Sequence, residues 1–140
     1  SESGKKLIFN EVPKHPELSG FNDYLDNDNN SKLRKDFSSY EVETISLNDL
    51  ISEHVDKKQI DYISIDTEGS EFEILKNFDF KKRNIEIFTI EHNFIEEKRD
   101  KIFKIMTEND YKRVFENLSH WDDWYVRKDN TVLKSMIDYK

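Results

Sequence analysis

The chain has 140 residues, a formal net charge of −8 and no cysteine. Its length suits a single domain spanning residues 1–140. Its acidity argues against a broad grip on nucleic acid, which needs a basic surface, and the absence of cysteine excludes disulfides and thiolate sites. No apolar run reaches the ~20 residues of a membrane span and no signal-peptide pattern opens the sequence. We therefore expect a cytoplasmic protein without a membrane or nucleic-acid partner.

The first third of the sequence predicts two strands separated by polar loops. Residues 7–12 form a short apolar segment ended by two prolines, which do not fit a strand interior. Residues 26–31, Asp-Asn-Asp-Asn-Asn-Ser, are typical of a flexible polar turn. Residues 40–45 predict the second strand, and Ser46-x-x-Asp49 has the spacing of a capping box that opens a short helix.

The centre of the chain is residues 60–73, Ile-Asp-Tyr-Ile-Ser-Ile-Asp-Thr-Glu-Gly-Ser-Glu-Phe-Glu. Its apolar first part predicts a central strand that is covered on both faces, and Gly69 permits a tight turn. Ser70 and Glu73 have capping-box spacing, which predicts a helix over residues 70–78. Four apolar residues share one face of that helix: Phe72, Ile74, Leu75 and Phe78.

The following residues complete a βαβ unit and add a hairpin. Residues 85–91 predict a second buried strand that ends in a carboxylate, and residues 94–109 predict an amphipathic helix. Residues 111–115 and 124–126 predict a terminal hairpin, joined by a polar segment.

A candidate site follows from the order of these elements. The strands of a βαβ unit run parallel, so strands 60–66 and 85–91 should end at one edge of the sheet. Ligands of open α/β sheets bind beyond the carboxyl ends of the strands. Five polar residues lie at the ends of the two strands or directly after them: Asp66, Glu68, Glu91, His92 and Asn93.

Two kinds of chemistry fit these residues. In the first, Asp66 or His92 is the catalytic base toward a substrate hydroxyl. The substrate is then bound and oriented by Glu68, Glu91 and Asn93. In the second, Asp66 and Glu68 bind Mg²⁺ or Mn²⁺ as in proofreading-type exonucleases. Those nucleases carry their acid pair near the start of the chain, whereas this pair is central, so we assign no metal ligands.

A structural role is the alternative for every carboxylate in this region. A carboxylate after a buried strand is often only an acceptor for turn amides. We assign Glu71 and Glu73 to the start of the helix, without a catalytic role. Residues 121–124, Trp-Asp-Asp-Trp, are assigned to a turn with aromatic packing.

The central segment also resembles a family signature. Residues 60–78 resemble the pattern of FkbM-type methyltransferases, which consists of an apolar strand, Asp-x-Glu-Gly-x-Glu and a helix bearing Leu-Lys. Further segments on both sides resemble the same family, so that the resemblance covers residues 4–127. These segments are Leu18-Ser-Gly-Phe, Val42-Glu-Thr-Ile-Ser-Leu-Asn-Asp-Leu, Ile90-Glu-His-Asn and Trp121-Asp-Asp-Trp-Tyr-Val.

The resemblance implies both a fold and an activity. The fold is α/β, a partial class I methyltransferase (Rossmann-like) sheet with a parallel centre and a C-terminal antiparallel hairpin. The activity is S-adenosylmethionine-dependent O-methylation of a hydroxyl on a sugar or other small molecule. A non-catalytic binding or assembly subunit derived from the same fold is the alternative.

The sequence departs from this family at the cofactor site. Such enzymes resemble other class I methyltransferases in holding S-adenosylmethionine with a Gly-rich turn, but this chain has glycines only at positions 4, 20 and 69. It therefore resembles the C-terminal half of such an enzyme, and no residue is assigned to the cofactor. We expect weak cofactor binding by this chain alone. We also expect an open sheet edge that favours a homo-oligomer or a partner chain.

Overall fold

The computed structural model describes residues 2–24 and 33–130, so the predicted polar turn at residues 26–31 lies outside the described part. The described residues form an α/β structure of seven strands in two sheets, with three α-helices. They divide into two compact units. The first contains the chain up to Asp56 together with Asp66–Phe78, and the second contains Lys57–Ile65 and the chain from Asp79 onward.

The first unit is built on a small antiparallel sheet. Its strands are β1 (Lys6–Glu11), β2 (Gly20–Phe21) and β3 (Ser38–Glu43), in the order β2-β1-β3. The strands predicted at residues 7–12 and 40–45 are confirmed, each shifted by one or two residues. The ring of Phe9 packs at 5.7 Å between centroids against both Phe21 and Tyr40, which joins the three strands on one face.

Helix α1 (Leu47–His54) begins where its capping box predicts. The Oγ atom of Ser46 accepts a hydrogen bond of 3.1 Å from the backbone N–H of Asp49. This bond satisfies one of the amides that a helix start leaves without an intrahelical partner.

Helix α2 (Glu71–Lys76) is shorter than the predicted helix and starts differently. Ser70 precedes it, but its side chain makes no capping bond, so the predicted capping box is wrong. The hydroxyl of Ser70 instead donates to Thr67 Oγ1 at 2.8 Å. The predicted apolar face is confirmed at Leu75, which is 1% exposed, and Lys76 is exposed.

The second unit contains a four-stranded mixed sheet. Its strands are β4 (Gln59–Ile65), β5 (Asn84–Glu91), β6 (Tyr111–Val114) and β7 (Asp122–Arg127), in the order β4-β5-β7-β6. Strands β4 and β5 are parallel, with Ile65 opposite Ile90, and β7 is antiparallel to both β5 and β6. The predicted parallel pair and terminal hairpin are therefore both confirmed.

The position of β4 differs from its prediction. Among the described residues β4 pairs only with β5 and lies at the end of the sheet, and Tyr62 is 50% exposed. The prediction of a central strand covered on both faces is therefore wrong. The interior strand is β5, where Phe88 and Ile90 are fully buried. Edge and interior strands share β-branched and aromatic residues, so this composition alone could not separate them.

Helix α3 (Glu96–Glu108) confirms the predicted amphipathic helix. It buries Ile102 and Met106, and the guanidinium of Arg113 on β6 lies 4.7 Å from the ring centroid of Phe103 on its surface. Among the described residues, no helix has the length and apolar character required to cross a membrane.

Candidate active site

The acidic turn, defined as residues 66–70 between β4 and α2, is held in an unusual backbone conformation. Glu68 and Gly69 both have positive φ values, of 53° and 122°. A Cβ atom on Gly69 would lie 2.6 Å from the carbonyl oxygen of Tyr24 and 2.9 Å from its Cβ atom. Only glycine combines that φ with so close an approach. The role predicted for Gly69 is thus confirmed, and Tyr24 supplies a reason that the sequence did not reveal.

Glu71 fixes the shape of the acidic turn from inside. Its side chain is fully buried, and Oε1 accepts hydrogen bonds from the Thr67 backbone N–H, the Thr67 hydroxyl and the Gly69 backbone N–H at 2.8–3.0 Å. A carboxylate is well suited to accept several such bonds. The sequence assigned Glu71 only to the helix start. Its position two residues after the turn glycine was the available signal, because a carboxylate there can fold back onto the turn amides.

Glu68 forms a partly buried ion pair with Arg34. Their side chains are 12% and 6% exposed, and Arg34 Nη2 lies 2.8 Å from Glu68 Oε2. Arg34 is itself oriented by a 2.9 Å hydrogen bond from Nε to the carbonyl of Leu18. The guanidinium neutralises Glu68, which makes this carboxylate a poorer ligand for Mg²⁺ than the sequence pattern implied. No local signal pointed to Arg34, which lies 34 residues away.

Asp66 differs from the other two carboxylates because it is exposed to solvent. One of its carboxylate oxygens lies within 4.8 Å of an oxygen of Glu68. The first unit therefore brings Asp66 and Glu68 together, as predicted. Within this turn, Asp66 is the carboxylate that a substrate in solution can reach.

In the second unit, the chain leaves β5 in a sharply turned segment. The carbonyl of Trp121 accepts hydrogen bonds from the backbone N–H groups of both His92 and Asn93, at 2.8 and 3.2 Å. Asn93 and Phe94 then adopt positive φ values of 49° and 58°. Such values are uncommon for a bulky residue like phenylalanine and tend to occur at functional sites. Glu91, the last residue of β5, is buried immediately before this turn.

His92 is almost completely buried, with 1% of its surface exposed. Its Nδ1 atom accepts a 3.1 Å hydrogen bond from the backbone N–H of Phe94, which places the proton of the neutral ring on Nε2. Burial lowers the pKa of His92, although the nearby Asp123 opposes this effect. Because its acceptor nitrogen is already bonded, this geometry favours a positioning role over general-base catalysis. Catalysis by His92 stays a prediction.

Asp123 is the centre of a charged cluster that also contains His92, Arg99 and Arg113. Its buried carboxylate accepts two hydrogen bonds from Arg99, at 2.7 and 2.9 Å, and one from Arg113 at 3.3 Å. His92 Nε2 lies 3.8 Å from Asp123 Oδ1. Burial alone would raise the pKa of Asp123, but Arg99 and Arg113 outweigh it and hold this pKa below its usual value.

The sequence did not reveal this cluster. Asp123 was assigned to a turn, but it lies within β7, opposite Ile90 of β5. The prediction was wrong because the polar pair Asp122-Asp123 resembles a turn, whereas antiparallel pairing and two arginines stabilise it in a strand. Those arginines become neighbours only once α3 and β6 are in place.

The glycine of the acidic turn is not available to S-adenosylmethionine. A glycine-rich cofactor turn leaves the space of a missing Cβ atom open to the ligand. At Gly69 that space is filled by the backbone and Cβ atom of Tyr24. Gly69 therefore does not fit a role in holding the cofactor.

Comparison with known proteins identifies the family. Residues 7–113 match the family model of the methyltransferase FkbM domain, and this region includes the acidic turn, the end of β5 and helix α3. No curated protein and no solved structure gives a significant match to the sequence. The family match spans more than half of the 140 residues and confirms the resemblance found from the motifs. The chain therefore belongs to the family of FkbM methyltransferase domains.

Proposed function

We propose that this chain supplies the acceptor side of an S-adenosylmethionine-dependent O-methyl transfer, in which a hydroxyl of a sugar or other small molecule receives the methyl group. The observation that carries this proposal is the acidic turn inside the matched region. It presents one exposed carboxylate, Asp66, on a backbone whose amides are held by the buried Glu71, while the neighbouring Glu68 is paired with Arg34.

The three carboxylates have separable roles in this proposal. Asp66 accepts the hydroxyl proton as the oxygen becomes a nucleophile, and it aligns that oxygen for attack. Glu71 holds the amides of the turn, and Glu68 is held by Arg34. Neither Glu71 nor Glu68 needs to touch the substrate. Their contribution is the fixed position of Asp66, on which alignment depends.

The charged cluster of the second unit has a supporting role. His92 and Asp123 are both 1% exposed, and Asp123 also connects Arg99 on α3 to Arg113 on β6. In the proposed function this cluster fixes the segment after β5. Beside it, Phe94 and Trp121 are 57% and 62% exposed, with ring centroids 6.5 Å apart. Exposed aromatic rings of this kind are suited to packing against the apolar face of a sugar ring.

The fold supports the same proposal. The parallel β4–β5 pair, continued by the antiparallel β7 and β6, is the arrangement that the resemblance to class I methyltransferases implies.

A product assay tests the proposal. The active assembly that contains this chain is incubated with a methyl-labelled donor and matched acceptors that differ only in presenting a hydroxyl, an amine or a carboxylate. We expect labelled methyl ethers from the hydroxyl series, identified by NMR. Label on nitrogen or carboxylate alone, or no transfer above the protein-free background, would contradict O-methylation.

A further inference from the structure

A cavity of about 520 Å³ opens in the second unit where the parallel strands begin. Its walls include Lys58 immediately before β4, the turn at residues 80–84 leading into β5, and Tyr111 at the start of β6. Strand β5 runs from Asn84 to Glu91, and at about 3.3 Å per residue its two ends lie more than about 20 Å apart. The cavity is therefore separate from His92 and its neighbours at the other end of that strand.

The cavity is basic although the chain has a net charge of −8. Five cationic side chains line it, against two carboxylates, Glu108 and Asp110. Asp110 already faces Lys128 at 3.8 Å, which reduces the negative charge that it offers to the cavity. The cationic residues are Lys58, Lys81, Lys82, Arg83 and Arg127.

Lys58 and Lys81 have no ion-pair partner among the residues that the structure describes. Arg127, by contrast, is paired with Asp129. The two lysines therefore bring positive charge to the cavity that no neighbouring carboxylate compensates. Both lysines are exposed, and their charge attracts an anion toward the cavity that they line.

Arg83 adds an oriented donor. Its Nη1 donates to the carbonyl of Lys57 at 2.9 Å, which anchors the guanidinium to the segment before β4. Its Nε is buried and has no hydrogen-bond partner among the described residues. A buried donor without an acceptor is unfavourable, and a phosphate oxygen is an acceptor that fits the planar guanidinium.

We propose that this cavity binds a small molecule through a phosphate or diphosphate group. Its volume lies in the range of roughly 300–1,000 Å³ that is usual for small-molecule sites. The partly buried ring of Phe80, 5.9 Å from the ring of Tyr111, supplies an apolar wall for the remainder of the ligand. This inference is independent of the proposed methyl transfer, since none of the residues involved belongs to the acidic turn.

Titration of the 140-residue chain with inorganic phosphate and with pyrophosphate, at constant ionic strength, tests the proposal by NMR. We expect saturable shifts in the amides of residues 80–84 and 109–111. Pyrophosphate should bind more tightly than phosphate, with a dissociation constant of about 1 mM or lower. Absence of saturation, or shifts of equal size along the whole chain, would overturn the proposal.

Three variants sharpen the test. The double variant Lys58→Ala/Lys81→Ala should weaken pyrophosphate binding at least ~5-fold, and Arg83→Lys about 3-fold although it keeps the charge. The control Lys104→Ala/Lys112→Ala removes the same charge from exposed residues that do not line the cavity, and should change binding less than ~2-fold. If the two double variants weakened pyrophosphate binding equally, the binding would be non-specific attraction to surface charge, and the proposal would be refuted. A single-stranded oligonucleotide that displaces pyrophosphate from these amides at lower concentration would also refute a small-molecule site.

Discussion

Replacing Gly69 by alanine should destabilise the acidic turn. The residue has a φ of 122°, and a Cβ atom would lie 2.6 Å from the Tyr24 carbonyl oxygen, which is backbone and cannot rotate away. The unfavourable φ costs about 1–3 kcal/mol. Relief of the overlap costs about a further 1–3 kcal/mol. We therefore expect Gly69→Ala to lower the free energy of unfolding by roughly 2–6 kcal/mol.

Gly4 provides a matched control within the same unit. Its φ is 76°, but no atom lies within 4 Å of the position that a Cβ atom would take. Gly4→Ala therefore introduces strain in φ without a steric overlap, and should cost about 1–2 kcal/mol. Urea denaturation followed by far-UV circular dichroism compares the two variants, provided that their m-values agree. Equal losses of stability would refute the conclusion that Tyr24 closes the space at Gly69.

Three further predictions test the helix, the charged cluster and the cofactor. Leu75→Ala should cost roughly 2–5 kcal/mol, because Leu75 is 1% exposed. Lys76→Ala on the exposed side should cost less than about 0.5 kcal/mol in the same denaturation experiment. Equal losses of stability in the two variants would show that the buried face of α2 is assigned wrongly. The folded state lowers the pKa of His92 from about 6.5, so the unfolded chain binds this proton more readily. Thermal stability should therefore decrease as the pH falls below about 6.5, and His92→Gln should flatten that decrease. If thermal stability depended on pH in the same way in the variant, groups other than His92 would cause the decrease. Calorimetric titration of the 140-residue chain with S-adenosylmethionine should show no binding tighter than about 1 mM, equivalent to roughly −4 kcal/mol. A saturable site near ~10 μM would show that a cofactor pocket exists after all.

The sequence predicted the elements whose signals are local. Ser46 and Asp49 are three residues apart, so their spacing alone identified the cap of α1. The parallel pairing of β4 and β5 followed from the strand–helix–strand order. The acidic turn was located because a glycine directly follows the carboxylates at the end of an apolar segment.

The contacts that were not predicted depend on distant residues. Arg34 reaches Glu68 from 34 positions away, and no pattern near either residue indicates the pair. Ser70 has capping-box spacing, but its hydroxyl donates to Thr67 Oγ1, which is itself held by the buried Glu71, and makes no capping bond. Asp123 looked like a turn residue because strand pairing and Arg99 become visible only in the folded chain.

The most direct test of the account is the rate of methyl transfer by Asp66→Asn in the active assembly. If Asp66 takes the hydroxyl proton, this nearly isosteric change should lower turnover at least ~100-fold while circular dichroism and melting temperature stay unchanged. The control is Asp61→Asn, which removes the same charge from an exposed position on β4 and should leave turnover within about 2-fold. Full turnover by Asp66→Asn, or equal losses in the two variants, would contradict the role proposed for Asp66.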